Sequence, residues 1–416
     1  MSNIRPFKGL RALPELVKAI AALPYDVMDT EEARAILKDN PLSFLSVTKS
    51  EATMPKGVDD HSPAVYEQAK ENLDKYIARG QMKQDLTPCY YIYRQQMGSA
   101  IQIGLVAAAS VQEYKENIIK KHELTRVDKE QDRINHIMTT RAQTGCVFLA
   151  YKNRGEIDAL LIKYMSNHTP AYDFVADDEI KHTLYVVSEP LKIAEITKLF
   201  AQVPCLYIAD GHHRSEAALK VAEELSKRPG QSGAEEYNSF LAVIFPDNML
   251  HILDYNRLVK DLNGLTVSEF MSAVEKKFIV TKTVQNPKPQ KRHTFGMYIV
   301  GHWYTLEARP ETYIAEDPIA ALDVSILQEN LLQPVLGIND PRIDNRIDFV
   351  GGIRGLQALE MKVNNGEYVV GFAMYPTSMG ELMTVADQGL IMPPKSTWFE
   401  PKLRDAMVIH LIGDVQ

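Results

Sequence analysis

Cysteine is nearly absent from this chain: Cys89, Cys146 and Cys205 are the only three in 416 residues. They are far apart, with no Cys-X-X-Cys pair, so neither a disulfide framework nor a thiolate zinc site is expected. Each sits in an apolar run and reads as a small buried hydrophobe. No apolar run approaches the length that spans a bilayer. The opening residues carry no long apolar stretch before a cleavage site, so a cytoplasmic protein without a membrane partner is expected. Positive charge is also in short supply. The formal net charge is −8, which argues against a general nucleic-acid binder. Three catalytic signatures are missing too. There is no Gly-X-Gly-X-X-Gly between a strand and a helix, no Gly-rich P-loop and no Gly-X-Ser-X-Gly elbow.

What is present is an ordinary globular composition, 45% hydrophobic and 24% charged. Chain length argues for more than one domain. Helical stripes and short apolar strands are interleaved, so the expected class is α+β (mixed α/β). A change of texture near 250 suggests domains at 1–250 and 251–416. Phe44–Thr48 reads as a strand, 64–80 as a helix, and Cys89–Tyr93 with Ile101–Val111 as a hairpin. Ile319–Leu332 reads as helical and Met407–Ile412 as a closing strand. No internal repeat is visible.

One stretch concentrates reactive side chains. Leu206–Ala209 reads as a buried strand, Asp210-Gly211 as a turn, and His212-His213-Arg214 as the opening of a helix. A helix N-terminus offers unpaired N–H groups and the positive end of a dipole. Gly211 lets the backbone turn and an anion approach. Arg214 adds a forked grip on phosphate, and His212 or His213 a further donor. Together these make a phosphate site. Asp210 would repel a phosphate unless it holds Mg²⁺ or takes a proton. Asp210 could instead only cap the helix. His212 and His213 could instead be metal ligands, although adjacent helical residues point apart. A second candidate is Lys395-Ser396-Thr397, in a loop bounded by prolines. A third is the charged segment from Lys120 to Arg141, which opens with His122-Glu123-Leu124-Thr125 and carries Arg133. A solvated helix would also explain that segment.

The Asp-Gly-His-His-Arg corner resembles the nucleotide-binding corner of the ParB/sulfiredoxin superfamily. Four further stretches extend the likeness: Ile4-Arg5-Pro6, Pro24-Tyr25-Asp26-Val27, His122–Thr125 with Asp132-Arg133, and Lys395–Lys402. As a set they make the chain similar to the domain-of-unknown-function 1015 family, and within the superfamily the corner looks like that of kinases acting on free L-serine. The resemblance implies a ParB/sulfiredoxin-like nucleotide-binding domain at 1–250 and a mixed α/β domain at 251–416 that lends a Lys-Ser-Thr loop to the site. It implies transfer of phosphate from ATP or ADP to a free amino-acid hydroxyl, with L-serine giving O-phosphoserine. Gly211, His212 and Arg214, with Lys395, Ser396 and Thr397, would hold phosphate. Asp210 would hold Mg²⁺, either Asp210 or Glu123 would be the base, and His213 would steady the transferred group. His122, Thr125 and Arg133 would face the substrate. A homodimer is left open. Two other readings stand beside this one: a nucleotide-binding regulator without turnover, and a metal-dependent hydrolase using His122, His212 and His213. His212 replaces the cysteine at a sulfiredoxin's corner, which counts against that reaction.

Overall fold

The computed structural model describes residues 2–283 and 287–413. The chain forms a mixed α/β architecture in two compact units, residues 1–250 with those from 401 onward, and residues 251–400.

A nine-stranded sheet organises the first unit. Its path runs Ile119–Lys120, Leu206–Asp210, Val147–Tyr151, Ser239–Pro246, Ala100–Ser110, Tyr90–Met97, Lys181–Val187, Tyr172–Val175, with Ile4–Arg5 paired onto Ala100–Ser110. The central strands are apolar without alternation. All five residues of Val147–Tyr151 and all eight of Ser239–Pro246 are buried, the pattern of strands covered on both faces. Helix His212–Leu225 covers one side and inserts Ala217, Ala218, Val221 and Leu225 into the main core. Its neighbour is helix Val127–Thr140, whose Ile137 joins the same core.

Residues after 400, assigned above to the C-terminal domain, belong with the first unit. Ile409–Leu411 lies between Gly9–Ala12 and Ala142–Gln143 in a four-stranded sheet. The chain therefore returns to the first unit, carrying Lys402 and Asp405 with it.

Several local readings change. Residues 45–48 are a short buried helix rather than a strand. A four-residue stretch in which Leu45 and Val47 alternate with Ser46 and Thr48 is too short to fix the state, and packing decides. The helix expected over 319–332 begins at Asp323, and its second half, Gln328–Leu332, is π-helical. His122–Thr125 lies in an irregular stretch between Ile119–Lys120 and helix Val127–Thr140.

The second unit is built on a six-stranded antiparallel sheet in the order Phe278–Thr283, His302–Ala308, Thr294–Ile299, Val370–Ala373, Tyr255–Val259, Ile347–Gly351. Helix Met379–Asp387 starts from a capping box between Ser378 and Glu381, the spacing visible in the sequence.

Candidate functional site

The corner forms where the strand Leu206–Asp210 leaves the sheet. Leu206–Ala209 is buried and Asp210 is half-buried at its end. Gly211 then takes φ of +100°, a left-handed conformation that favours glycine. A Cβ at this position would meet Arg214 Nε at 3.2 Å and Val147 Cα at 3.3 Å. Glycine is therefore required by both backbone angle and space. The helix that follows has no side-chain cap and no acidic residue in its first turn. Its opening N–H groups donate to no side-chain cap, and the carboxylate next to them, Asp210, is itself paired with Lys402 and Arg214.

Charge around the corner is balanced by close pairs. Lys402 Nζ lies 3.1 Å from Asp210 Oδ2, and Arg214 Nη2 lies 3.8 Å from Asp210 Oδ1. Burial pushes the Asp210 carboxyl up, but Lys402 and Arg214 outweigh it and hold the group well below the usual carboxylate range. Asp210 is ionised at any working pH. Arg214 donates to the Cys146 carbonyl. Burial opposes its charge, while Asp210, Asp26, Tyr25 and Asp405 sustain it.

Beside this pair lies a second group. His122 and His212 meet edge to face, with ring centroids 4.5 Å apart at 86°. Glu123 Oε2 is 3.9 Å from His212 Nδ1. Donor atoms of His122, Glu123 and His212 all fall within 4.8 Å of one another. Burial lowers His122 to about 4. Burial, then His122, lowers His212 well below 6.5. Both imidazoles are neutral. The ring nitrogens of His122 are buried without a hydrogen-bond partner among the described residues. A backbone group of Ile208 acts on the ring but does not meet hydrogen-bond geometry.

The remaining candidates separate. His213 Nε2 accepts the Arg126 backbone N–H at 3.0 Å, so this ring is turned away from the His122–Glu123–His212 group. The Thr125 hydroxyl donates to Glu130 Oε2 at 3.0 Å and serves the start of its helix. Arg133 forks onto Asp132 at 2.9 and 2.6 Å, and its guanidinium stacks 3.8 Å above the Tyr25 ring. Arg133 and Arg214 do share one small cavity, lined also by Tyr25, Thr144 and Asp405, with room for about 30 Å³. That volume suits one or two waters. Lys395, Ser396 and Thr397 belong to the second unit. There the Lys395 ammonium lies 5.7 Å from the Tyr255 ring centroid, the Ser396 hydroxyl donates to the Pro393 carbonyl at 2.6 Å, and Thr397 is half-buried.

Two residues at the corner were not singled out from the sequence. Lys402 is the lysine that reaches Asp210. Asp405 is buried beside Arg214, is pushed up to about 7 by burial, and has one carboxylate oxygen without a partner among the described residues. The available signal was a short charged cluster, Lys402, Arg404 and Asp405, set just before the apolar run Ala406–Ile409.

The family described as "Protein of unknown function (DUF1015)" matches residues 4–325. The chain belongs to this family. No curated protein matches the DUF1015 chain. Among solved structures, a conserved hypothetical protein from Pyrococcus furiosus aligns at 14% identity and a TM-score of 0.34, covering 73% of this chain and 93% of that one. A free serine kinase in complex with AMP aligns at 11% identity and a TM-score of 0.34, covering 73% and 92%. C-terminally truncated SbnI from Staphylococcus aureus aligns at 9% identity and a TM-score of 0.38, covering 72% and 85%. No helix among the described residues is long and apolar enough to cross a membrane.

Proposed function

We propose that this DUF1015 protein is a small-molecule kinase that moves a phosphoryl group from ATP or ADP to the hydroxyl of a free amino acid, with L-serine as the acceptor. The observation that carries the reading is the uncapped helix at Gly211, with the largely buried Arg214 and no acidic residue in its first turn. The corner is read as a nucleotide corner of the ParB/sulfiredoxin type. The N–H groups of its first turn and Arg214 hold the donor phosphates. The substrate hydroxyl oxygen attacks the terminal phosphorus, the bridging P–O bond breaks, and the leaving phosphate keeps the electron pair. Positive groups at the corner meet the charge that develops.

Asp210 is a poor proton acceptor, because Lys402 and Arg214 stabilise its ionised form. The proposal therefore gives the proton to Glu123 and gives Asp210 the task of holding Mg²⁺. An ionised, half-buried carboxylate would suit that hard cation. Mg²⁺ would supply charge neutralisation across the phosphates. Incubation with ATP or ADP, Mg²⁺ and L-serine should give O-phosphoserine by phosphorus NMR. If serine and a panel of hydroxy amino acids all stay unphosphorylated, the kinase reading is wrong. Nucleotide binding without any product would instead support a regulator.

The His122–Glu123–His212 group favours a second reading, a metal-dependent hydrolase. Two neutral imidazoles and a carboxylate suit a transition metal better than Mg²⁺. His213, turned toward Arg126, has no place in that set. The kinase reading expects purified protein to hold far less than one equivalent of zinc, manganese or iron. A stoichiometric metal that is lost in His122→Ala would favour the hydrolase.

A further inference from the structure

The second unit contains a buried cation with no anion to balance it among the described residues. Arg257, on the strand Tyr255–Val259, is 4% exposed. Its guanidinium donates only to backbone carbonyls among those residues, those of Tyr255 and, at 2.9 Å, Lys395. The carboxylate that lines the same cavity, Asp340, is forked by Arg342 at 2.7 Å. Burial alone lowers the Arg257 guanidinium to about 10, with only Tyr255 opposing. Burying an unpaired charge is costly, and a methionine of similar length would avoid the cost.

The guanidinium does not face solid core. It lines a cavity of about 290 Å³, near the lower end of small-molecule sites. Val324, Leu332, Ile347, Phe349, Pro393 and Pro394 give it an apolar side, and Asn339, Asp340 and Arg342 a polar one. Gln328 lines the same cavity from the π-helical turn Gln328–Leu332. Such turns interrupt regular helices at some expense and concentrate at functional sites. Lys395 sits beside Arg257 in a left-handed conformation, φ +58°, held by the bond from Arg257 to its carbonyl. Both cations flank Tyr255, at 6.0 and 5.7 Å from its ring centroid. The Pro-Pro-Lys-Ser-Thr loop thus forms one wall of a site within its own unit.

We infer that this cavity binds a small organic oxyanion, its carboxylate or phosphate head on Arg257 and its apolar body against Val324, Leu332 and the prolines. A guanidinium fork supplies the planar donors such a head needs. The inference does not depend on the kinase reading.

Trp398 offers a local reporter, with its ring 5.0 Å from Tyr255. In Trp303→Phe protein it is the single tryptophan. Titration with inorganic phosphate or with propionate should change Trp398 emission saturably, and the more effective probe identifies the head group. Arg257→Met should abolish the response, and Arg257→Lys should weaken the apparent affinity more than tenfold by removing the fork. Val324→Phe, which fills the cavity and leaves the guanidinium in place, should also abolish it. Arg214→Gln, altered only at the corner of the first unit, should respond like its parent. The inference is overturned if neither probe changes the emission, if Arg257→Met and Val324→Phe both respond like the parent, or if Arg214→Gln removes the signal.

Discussion

Asp210→Asn is expected to lower phosphoserine formation by roughly a hundred- to a thousandfold, while ADP binds at least as tightly as to the parent protein. Loss of the negative charge removes repulsion toward phosphate, so binding and turnover should move in opposite directions. Stability should fall as well. Lys402 and Arg214 have side chains only 14% and 12% exposed, so the change strands two largely buried cations. Breaking a fully buried pair costs about 3–5 kcal/mol. A third of the Asp210 side chain is exposed, and solvent screening holds the expected cost to about 1–2 kcal/mol. Lys402→Met in the Asp210→Asn background should recover part of that loss, and a double-mutant cycle by urea unfolding reads the coupling. An Asp210→Asn protein with parental turnover would remove Asp210 from the reaction.

Acidification from pH 6.5 to 5 should unfold the first unit selectively. His122 and His136 are lowered by burial to about 4, His182 to about 3, and His212 well below 6.5. Each remains neutral in the folded chain while the unfolded chain takes up a proton. Stability from these groups is complete above the ordinary value near 6.5 and falls as pH drops below it. For His122, His136 and His182 the loss is about 2 kcal/mol each by pH 5, and His212 acts in the same direction. Asp405, raised to about 7 by burial, works the other way and returns about 2 kcal/mol over the same interval. The histidines outweigh the one carboxyl, and the net loss from the three with the values above, roughly 4 kcal/mol, is a large share of the stability of a domain. The second unit holds the opposite case, Asp323, also raised to about 7. Hydrogen exchange resolved by segment, corrected for intrinsic rates, should show protection collapsing in strands Val147–Tyr151 and Ser239–Pro246 at pH 5 while Thr294–Ile299 keeps its own. Equal protection of the first unit at pH 7 and pH 5 would contradict the assignment of these histidines as neutral.

The corner was legible in the sequence because its parts are local. An apolar strand, an Asp-Gly turn and a helix start occupy consecutive residues, and Gly211 has the left-handed backbone that such a turn demands. Its partners were not legible. Lys402 is 192 residues from Asp210, and nothing in Trp398–Lys402 distinguishes Lys402 from Lys395 until the chain is seen to return to the first unit. Residues 45–48 misled for a different reason, since a four-residue stretch carries no period long enough to choose between strand and helix. Arg257 left no mark at all. Residues 256–259 carry no assignment from the sequence, and only the fold reveals a buried strand arginine with no carboxylate partner among the described residues.

The account rests on Gly211–Arg214 as a seat for nucleotide phosphates, and calorimetric titration of ADP tests it most directly. The parent protein should bind one equivalent. Gly211→Ala should weaken binding at least tenfold, because a Cβ there presses on Arg214 Nε and the Val147 backbone. Arg214→Gln should weaken it further. Undetectable binding of both ADP and ATP to the parent, or equal affinity in all three proteins, would contradict the account.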